Sequence, residues 1–282
     1  MSEELLKAIV QLFAIVAREH VSDEERSNIR EFLSQHLNRD SIKFYMNLFD
    51  EYASAQADSF QHATDNVDAD TRLFVDEWSR IMQITRQVNQ SLTRPQKLVL
   101  IIKIIELVYA DGSISERQEN LIYYIGKALK IPQNEVEELR RFVVGQDRDE
   151  LASPHVLIID EGFGERPYPG PHIVEKNING LIAILKLEDL LFIKYLGISV
   201  LYLNGIPLKS RKVDVLPAGS TIRGDKIEPI YYSDIVSRFL STINRPKISF
   251  VADHIFYHFK SGRAGLQNIN ICEQGGRLVG IM

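Results

Sequence analysis

The stretch Leu98-Val99-Leu100-Ile101-Ile102-Lys103-Ile104-Ile105-Glu106-Leu107-Val108, followed at once by Tyr109-Ala110-Asp111-Gly112-Ser113-Ile114-Ser115-Glu116-Arg117-Gln118, decides how the first half of the chain folds. A membrane-spanning helix needs about 20 apolar residues in a row, and this run is too short and carries Lys103 and Glu106. It therefore reads as a core helix. Thr93-x-x-Gln96 opens it, with Pro95 in the first turn, where a missing N–H costs little. Asp111-Gly112 makes the turn that closes it, and Ser115-x-x-Gln118 starts the next helix.

Outward from this hinge the pattern stays helical over residues 4–145. Leu5, Ile9, Leu12, Phe13 and Val16 recur at helical spacing, as do Leu121, Ile122, Ile125 and Leu129. Ser22-x-x-Glu25 repeats the reciprocal capping pattern, in which a hydroxyl caps an orphan amide and the third residue reaches back to another. The polar, acidic segment from Ala57 to Asp70 reads as a connecting loop. Val16 to Glu24 aligns with Tyr109 to Arg117 as helix, short turn and capped helix. Duplication and shared capping chemistry both account for that match.

The character changes at Ser153-Pro154. Short β-type runs follow at Val156–Ile159, Leu181–Leu187, Leu190–Leu196 and Val200–Leu203, divided by Gly, Pro and Asn turns such as Asn204-Gly205. Strands at this spacing predict a small sandwich or barrel. Ser233 is read as the cap of a short linking helix, Asp234 to Leu240. Strand character returns at Ile248–Val251, Ile255–Phe259, Ile269–Cys272 and Arg277–Met282. The fold class expected is α+β and multidomain. The domains run 1–150 (all-helical), 151–232 (β-sandwich), 233–245 (helical linker) and 246–282 (a partial antiparallel β-subdomain).

The 282 residues are 45% hydrophobic and 25% charged, ordinary for a chain that buries a core, and the net charge of −5 gives no argument for nucleic acid. One cysteine, Cys272, excludes an internal disulfide and a multi-cysteine zinc site. The acidic start Ser2-Glu3-Glu4 lacks the basic residues of a secretory signal, so a cytoplasmic setting is expected. No Gly-rich phosphate loop, nucleophile elbow or zinc spacing occurs, so no catalytic residue and no metal ligand is assigned. Glu106, Asp111, Glu116 and Glu119 invite a metal reading, but the EF-hand spacing fails and an ordinary Asp-Gly turn with acids in the first helical turn is favoured. His254 and His258 share a strand face without a third ligand.

Three resemblances rest on these residues. Tyr109 to Glu116, with Glu119 downstream, resembles the A-D-G-x-[I/V] signature of the tellurite-resistance-B-like family, which implies an all-helical domain. Leu201-Tyr202-Leu203-Asn204-Gly205-Ile206-Pro207-Leu208 with Leu216-Pro217-Ala218-Gly219-Ser220-Thr221-Ile222 resembles the later half of a forkhead-associated domain. No counterpart of that family's phosphothreonine-binding arginine and serine lies between Ile158 and Tyr195, so a structural version is expected.

Ile248 to Phe259, Gly265 to Ile271 and Glu273-Gln274-Gly275-Gly276-Arg277-Leu278-Val279-Gly280-Ile281-Met282 resemble the opening of an ATP-binding-cassette (ABC) ATPase. In that family a G-G-x-L-x-x-I strand runs into the phosphate loop. The resemblance implies that Phe259, two residues after Tyr257, stacks on adenine. It also implies that the chain is the accessory front part of an ABC transporter protein, continuing beyond Met282. ATP and Mg²⁺ would then be bound by the intact protein, dimeric through its ATPase domain and joined to a membrane-spanning transporter domain at the inner face of the membrane. The alternative is a self-contained cytoplasmic stress-signalling or scaffold adaptor without ATPase activity.

Overall fold

The computed structural model describes residues 3–17, 21–34, 37–61, 67–110, 112, 114–162, 168–241, 249–274 and 280. Its class is α+β. Seven helices come first: α1 (Glu3–Val16), α2 (Asp23–Ser34), α3 (Arg39–Gln61), α4 (Val67–Ser91), α5 (Arg94–Val108), α6 (Glu116–Ala128) and α7 (Gln133–Val144). Then come β1 (Val156–Asp160), β2 (His172–Val174), β3 (Gly180–Leu187), β4 (Leu190–Gly197), β5 (Leu201–Leu203), β6 (Ile206–Pro207), β7 (Val213–Val215), β8 (Thr221–Gly224) and β9 (Ile230–Tyr231). α8 (Tyr232–Ser241), β10 (Ser249–His258) and β11 (Ala264–Gln274) complete the described elements.

Two of the three capping pairs exchange both bonds as their spacing predicts, and the third makes the reach-back bond. The Ser22 N–H donates to Glu25 Oε2 at 2.8 Å while the Glu25 N–H donates to Ser22 Oγ at 3.1 Å. Ser115 and Gln118 exchange the same two bonds at 3.1 and 3.2 Å. The Thr93 N–H reaches Gln96 Oε1 at 2.9 Å, with Pro95 in the first turn of α5. The two aligned hinges also lock each other. Gln118, at the start of α6, donates to Val16 O at the end of α1, and Asn28 of α2 donates to Glu106 O near the end of α5. Each helix pair thereby satisfies orphan carbonyls of the other.

Three expectations are corrected. The segment from Ala57 to Asp70 is helical at both ends, since α3 runs to Gln61 and α4 begins at Val67. Polar composition marks a solvated face as readily as a loop. Residues 62–66 lie outside the described part. Ser233 is not a cap, because α8 starts one residue earlier. Asp234 instead accepts the Tyr231 N–H at 3.3 Å. The pair of strands expected at Ile248–Val251 and Ile255–Phe259 is one strand, β10, whose register slips between Ala252 and Ile255. That bulge, with His254 at φ +50°, breaks the alternation expected to place His254 and His258 on one face.

β1 to β9 build two sheets, β2-β1-β3-β4-β7 and β6-β5-β8-β9. In the first, β1 and β2 are parallel and the other pairs antiparallel, with Ile184 opposite Ile193 and Phe192 opposite Val215. Every residue of β1 is buried, and the middles of β3 and β4 are buried on both faces. One face carries Val156, Ile158, Ala183, Leu185, Phe192 and Val213 into the same hydrophobic cluster as α1, α5, α6 and α7. The helices and this sheet therefore share one core, within a compact unit spanning Met1–Arg238. Phe239–Met282 forms a second unit, whose described part beyond α8 is the two-stranded β10-β11 hairpin.

Candidate functional site

The Lys103 and Glu106 interruptions in the apolar α5 run fasten the helices to β7. Glu106 Oε1 accepts the Val213 N–H at 2.8 Å, and its Oε2 accepts from Lys103 Nζ at 2.9 Å. Lys103 Nζ also donates to Val213 O at 3.0 Å. One ion pair thus saturates both backbone groups of one strand residue, which offsets much of the cost of burying charge.

A second junction lies under α7. Lys194 of β4 is fully buried and donates to Phe142 O, Val143 O and Gly145 O at 3.2, 2.6 and 2.6 Å. The last carbonyls of a helix carry the negative end of its dipole and lack intrahelical partners, and an ammonium with three donors meets both needs. Burial pushes the Lys194 ammonium down to about 8 against the pull of Glu106 and Glu150. Nothing in the run Leu190 to Leu196 set Lys194 apart, although a lone lysine inside an otherwise apolar strand is the signal that could have found it.

At the turn after α5, Glu119 lies 3.6 Å from Arg140, which also forks onto Glu137 at 2.7 and 2.9 Å and donates to the Tyr109 hydroxyl at 3.3 Å. The Tyr123 hydroxyl donates to Glu137 as well. The Arg140 bond holds the Glu137 carboxyl below the usual carboxylate range, and burial first, then Glu137, raises the Tyr123 hydroxyl. Of the four acids considered for a metal, three lie among the described residues. Glu106 serves β7, Glu119 serves Arg140, and Asp111 lies outside the described residues. Among the described residues, no group of three or more His, Cys, Asp and Glu side chains is placed to hold a metal ion.

In the β5–β6 turn, Asn204 stands at φ +52°, donates to Ser220 Oγ at 3.0 Å and accepts the Thr221 N–H at 2.9 Å. The two motif pieces quoted from the sequence are thus tied to each other.

Phe259 follows β10 directly, and its N–H and carbonyl close the hairpin turn onto Arg263 O and the Gly262 N–H. Gly262 has φ +80°, which favours glycine. The Tyr257 and Phe259 rings meet edge to face, centroids 5.2 Å apart, and Phe259 is 52% exposed. An aromatic face is therefore open to a planar partner. Gly275 to Val279 lie outside the described residues.

Residues 6–141 match the family model described as tellurite resistance protein TerB, so this part of the chain is a TerB domain. Comparison with curated proteins and with solved structures gives no match. No helix among the described residues is long and apolar enough to cross a membrane.

Proposed function

We propose that the chain is the accessory, regulatory front part of an ABC transporter ATP-binding protein, with its TerB domain and β layer as a docking or sensing module. On this reading β10 and β11 open the antiparallel β-subdomain of the ATPase. The observation that supports it is the hairpin itself. The two strands pair along most of their length, with bulges, yet Phe250, Val251, Phe256, Tyr257 and Phe259 are all more than half exposed. Isolated two-stranded hairpins are marginal in water, and an apolar patch of this kind normally belongs to a larger surface. The sequence then runs into Gly275-Gly276-Arg277-Leu278-Val279, the composition of a strand feeding a phosphate loop.

In the intact protein Phe259 would stack on the adenine of ATP, and Mg²⁺ would be held by residues beyond this chain. A membrane-spanning transporter domain and a second ATPase domain are the partners the reading implies, at the inner face of the membrane. The forkhead-associated-like segment is assigned a structural role, because its Asn204 and Ser220 are occupied by each other.

The test is to read the coding sequence past the Met282 codon and assay its product. A Gly-rich loop ending in Gly-Lys-Ser or Gly-Lys-Thr, with Mg²⁺-dependent ATP turnover that residues 1–282 alone lack, is the expected result. A stop codon directly after Met282 would sink the reading and favour a self-contained adaptor.

A further inference from the structure

β7 is an edge strand of the five-stranded sheet, and its outer edge is closed at one residue and open at another. In an antiparallel ladder alternate residues bond the partner strand, and those between turn their N–H and C=O outward. Leu216 bonds inward, its N–H donating to Leu191 O at 2.8 Å, so Val213 and Val215 turn outward. Val213 is closed, since Glu106 takes its N–H and Lys103 its carbonyl. Val215 is open. Its N–H and C=O make no hydrogen bond among the described residues, and the residue is 38% exposed.

Val215 stands directly opposite Phe192, so its side chain points to the helix side of the sheet. A cavity of about 290 Å³ lies there. Leu190, Phe192 and Val215 line it from the sheet, and Ile9, Phe32 and Val99 from the helices. Gln96 is the one polar side chain among the described lining residues, and its Oε1 is engaged by the Thr93 N–H. An apolar cavity of about 150 Å³ takes up a benzene ring, so this one has room for a ring and the carbon that carries it. The free donor and acceptor at its rim match peptide backbone, which offers one of each per residue. A residue that exchanges both bonds with Val215 stands opposite it and sends its side chain to the same face, into the cavity.

We propose that this edge and cavity bind one bulky apolar residue of an extended peptide from a partner protein, its backbone on Val215 and its side chain between the helices and β4. The Lys103–Glu106 pair blocks further pairing toward Val213. On the other side Pro217 has no N–H, and its carbonyl already accepts the Ser220 N–H at 3.1 Å. Recognition is thereby confined to one residue. The site joins the TerB domain to the β layer and stands independently of the ATPase reading.

The experiment is an amide-resolved NMR titration of the full chain with N-acetyl-phenylalanine N-methylamide. Saturable shifts at the Val215, Gln96 and Val99 amides are expected. N-acetylglycine N-methylamide lacks the ring and benzyl alcohol lacks the peptide groups, so each should bind at least about tenfold more weakly. Methylating the phenylalanine nitrogen removes the donor to Val215 O and should also weaken binding about tenfold, with the protein unchanged. Val99→Phe fills the cavity from the helix side and should abolish the shifts. Shifts that never saturate, that Val99→Phe leaves intact, or that the methylated ligand or benzyl alcohol reproduces at equal affinity would overturn the proposal. The same amides shifting with protein concentration alone would overturn it too, by making a second copy of the chain the occupant.

Discussion

Phe192 and Phe256 are both phenylalanines on antiparallel strands, yet the first is 1% exposed and the second 60%. β4, which carries Phe192, is paired on both edges and covered by helices on one face. Among the described residues, β10, which carries Phe256, pairs with β11 alone. The same residue type is a structural anchor in one region and an unsatisfied surface in the other. The difference lies in whether a second layer covers the sheet, not in the strand sequence. The first unit covers one face of its sheet with helices, and the hairpin leaves its aromatic residues exposed.

Substitutions should expose that contrast, and Phe192→Ala is the largest. It should cost about 3 to 5 kcal/mol, read as a lowered urea midpoint of the first unit, through lost burial and a cavity at the helix–sheet seam. A cost under about 1 kcal/mol would mean that helices and sheet are not one core.

Lys194→Met removes the donor from three carbonyls at the end of α7 and should cost about 2 to 4 kcal/mol. The pH dependence has a definite sign. The Lys194 pKa is lowered from 10.5 to about 8, so between those values the unfolded chain binds more protons than the folded one. Stability of the parent relative to Lys194→Met should therefore rise from about pH 8 to about pH 10.5, by roughly 1 kcal/mol per pH unit in mid-window. Below pH 8 the difference should be flat.

Ser115→Ala should cost about 1 kcal/mol, the usual worth of an N-cap. Gln118→Ala should cost more, because it also breaks the bond to Val16 O. Equal costs would remove the cross-hinge lock from the account. Phe256→Ser closes the series at under about 0.5 kcal/mol in the same denaturation, since little burial is lost. A large effect there would erase the contrast between the regions.

The helical half was the more legible in sequence because its signals are local. Ser22, Thr93 and Ser115 each name a helix start within four residues, and the structure uses every one. The TerB signature fell on the turn between α5 and α6, inside the matched segment. Boundaries set by composition alone fared worse. Ala57 to Gln61 and Val67 to Asp70 are polar yet helical, and Ser233 looks like a cap but is not one. What sequence could not give were the long-range partners. Lys103 and Glu106 stood out only as flaws in an apolar run, while their partner Val213 lies more than 100 residues on. Lys194 and Arg140 matter through residues far along the chain, which leaves no local pattern. Phe259 was singled out by resemblance; its exposed ring and turn position are compatible with stacking, and nucleotide binding remains the proposal made above.

The comparison is tested most directly by hydrogen exchange on the 282-residue chain, followed amide by amide. Amides of β4, Leu190 to Gly197, should exchange only with global unfolding of the first unit, while those of β10 and β11 exchange through local opening, orders of magnitude faster. Protection of the hairpin equal to that of β4 would contradict the account, because a two-stranded part that holds itself together needs no ATPase domain to complete it.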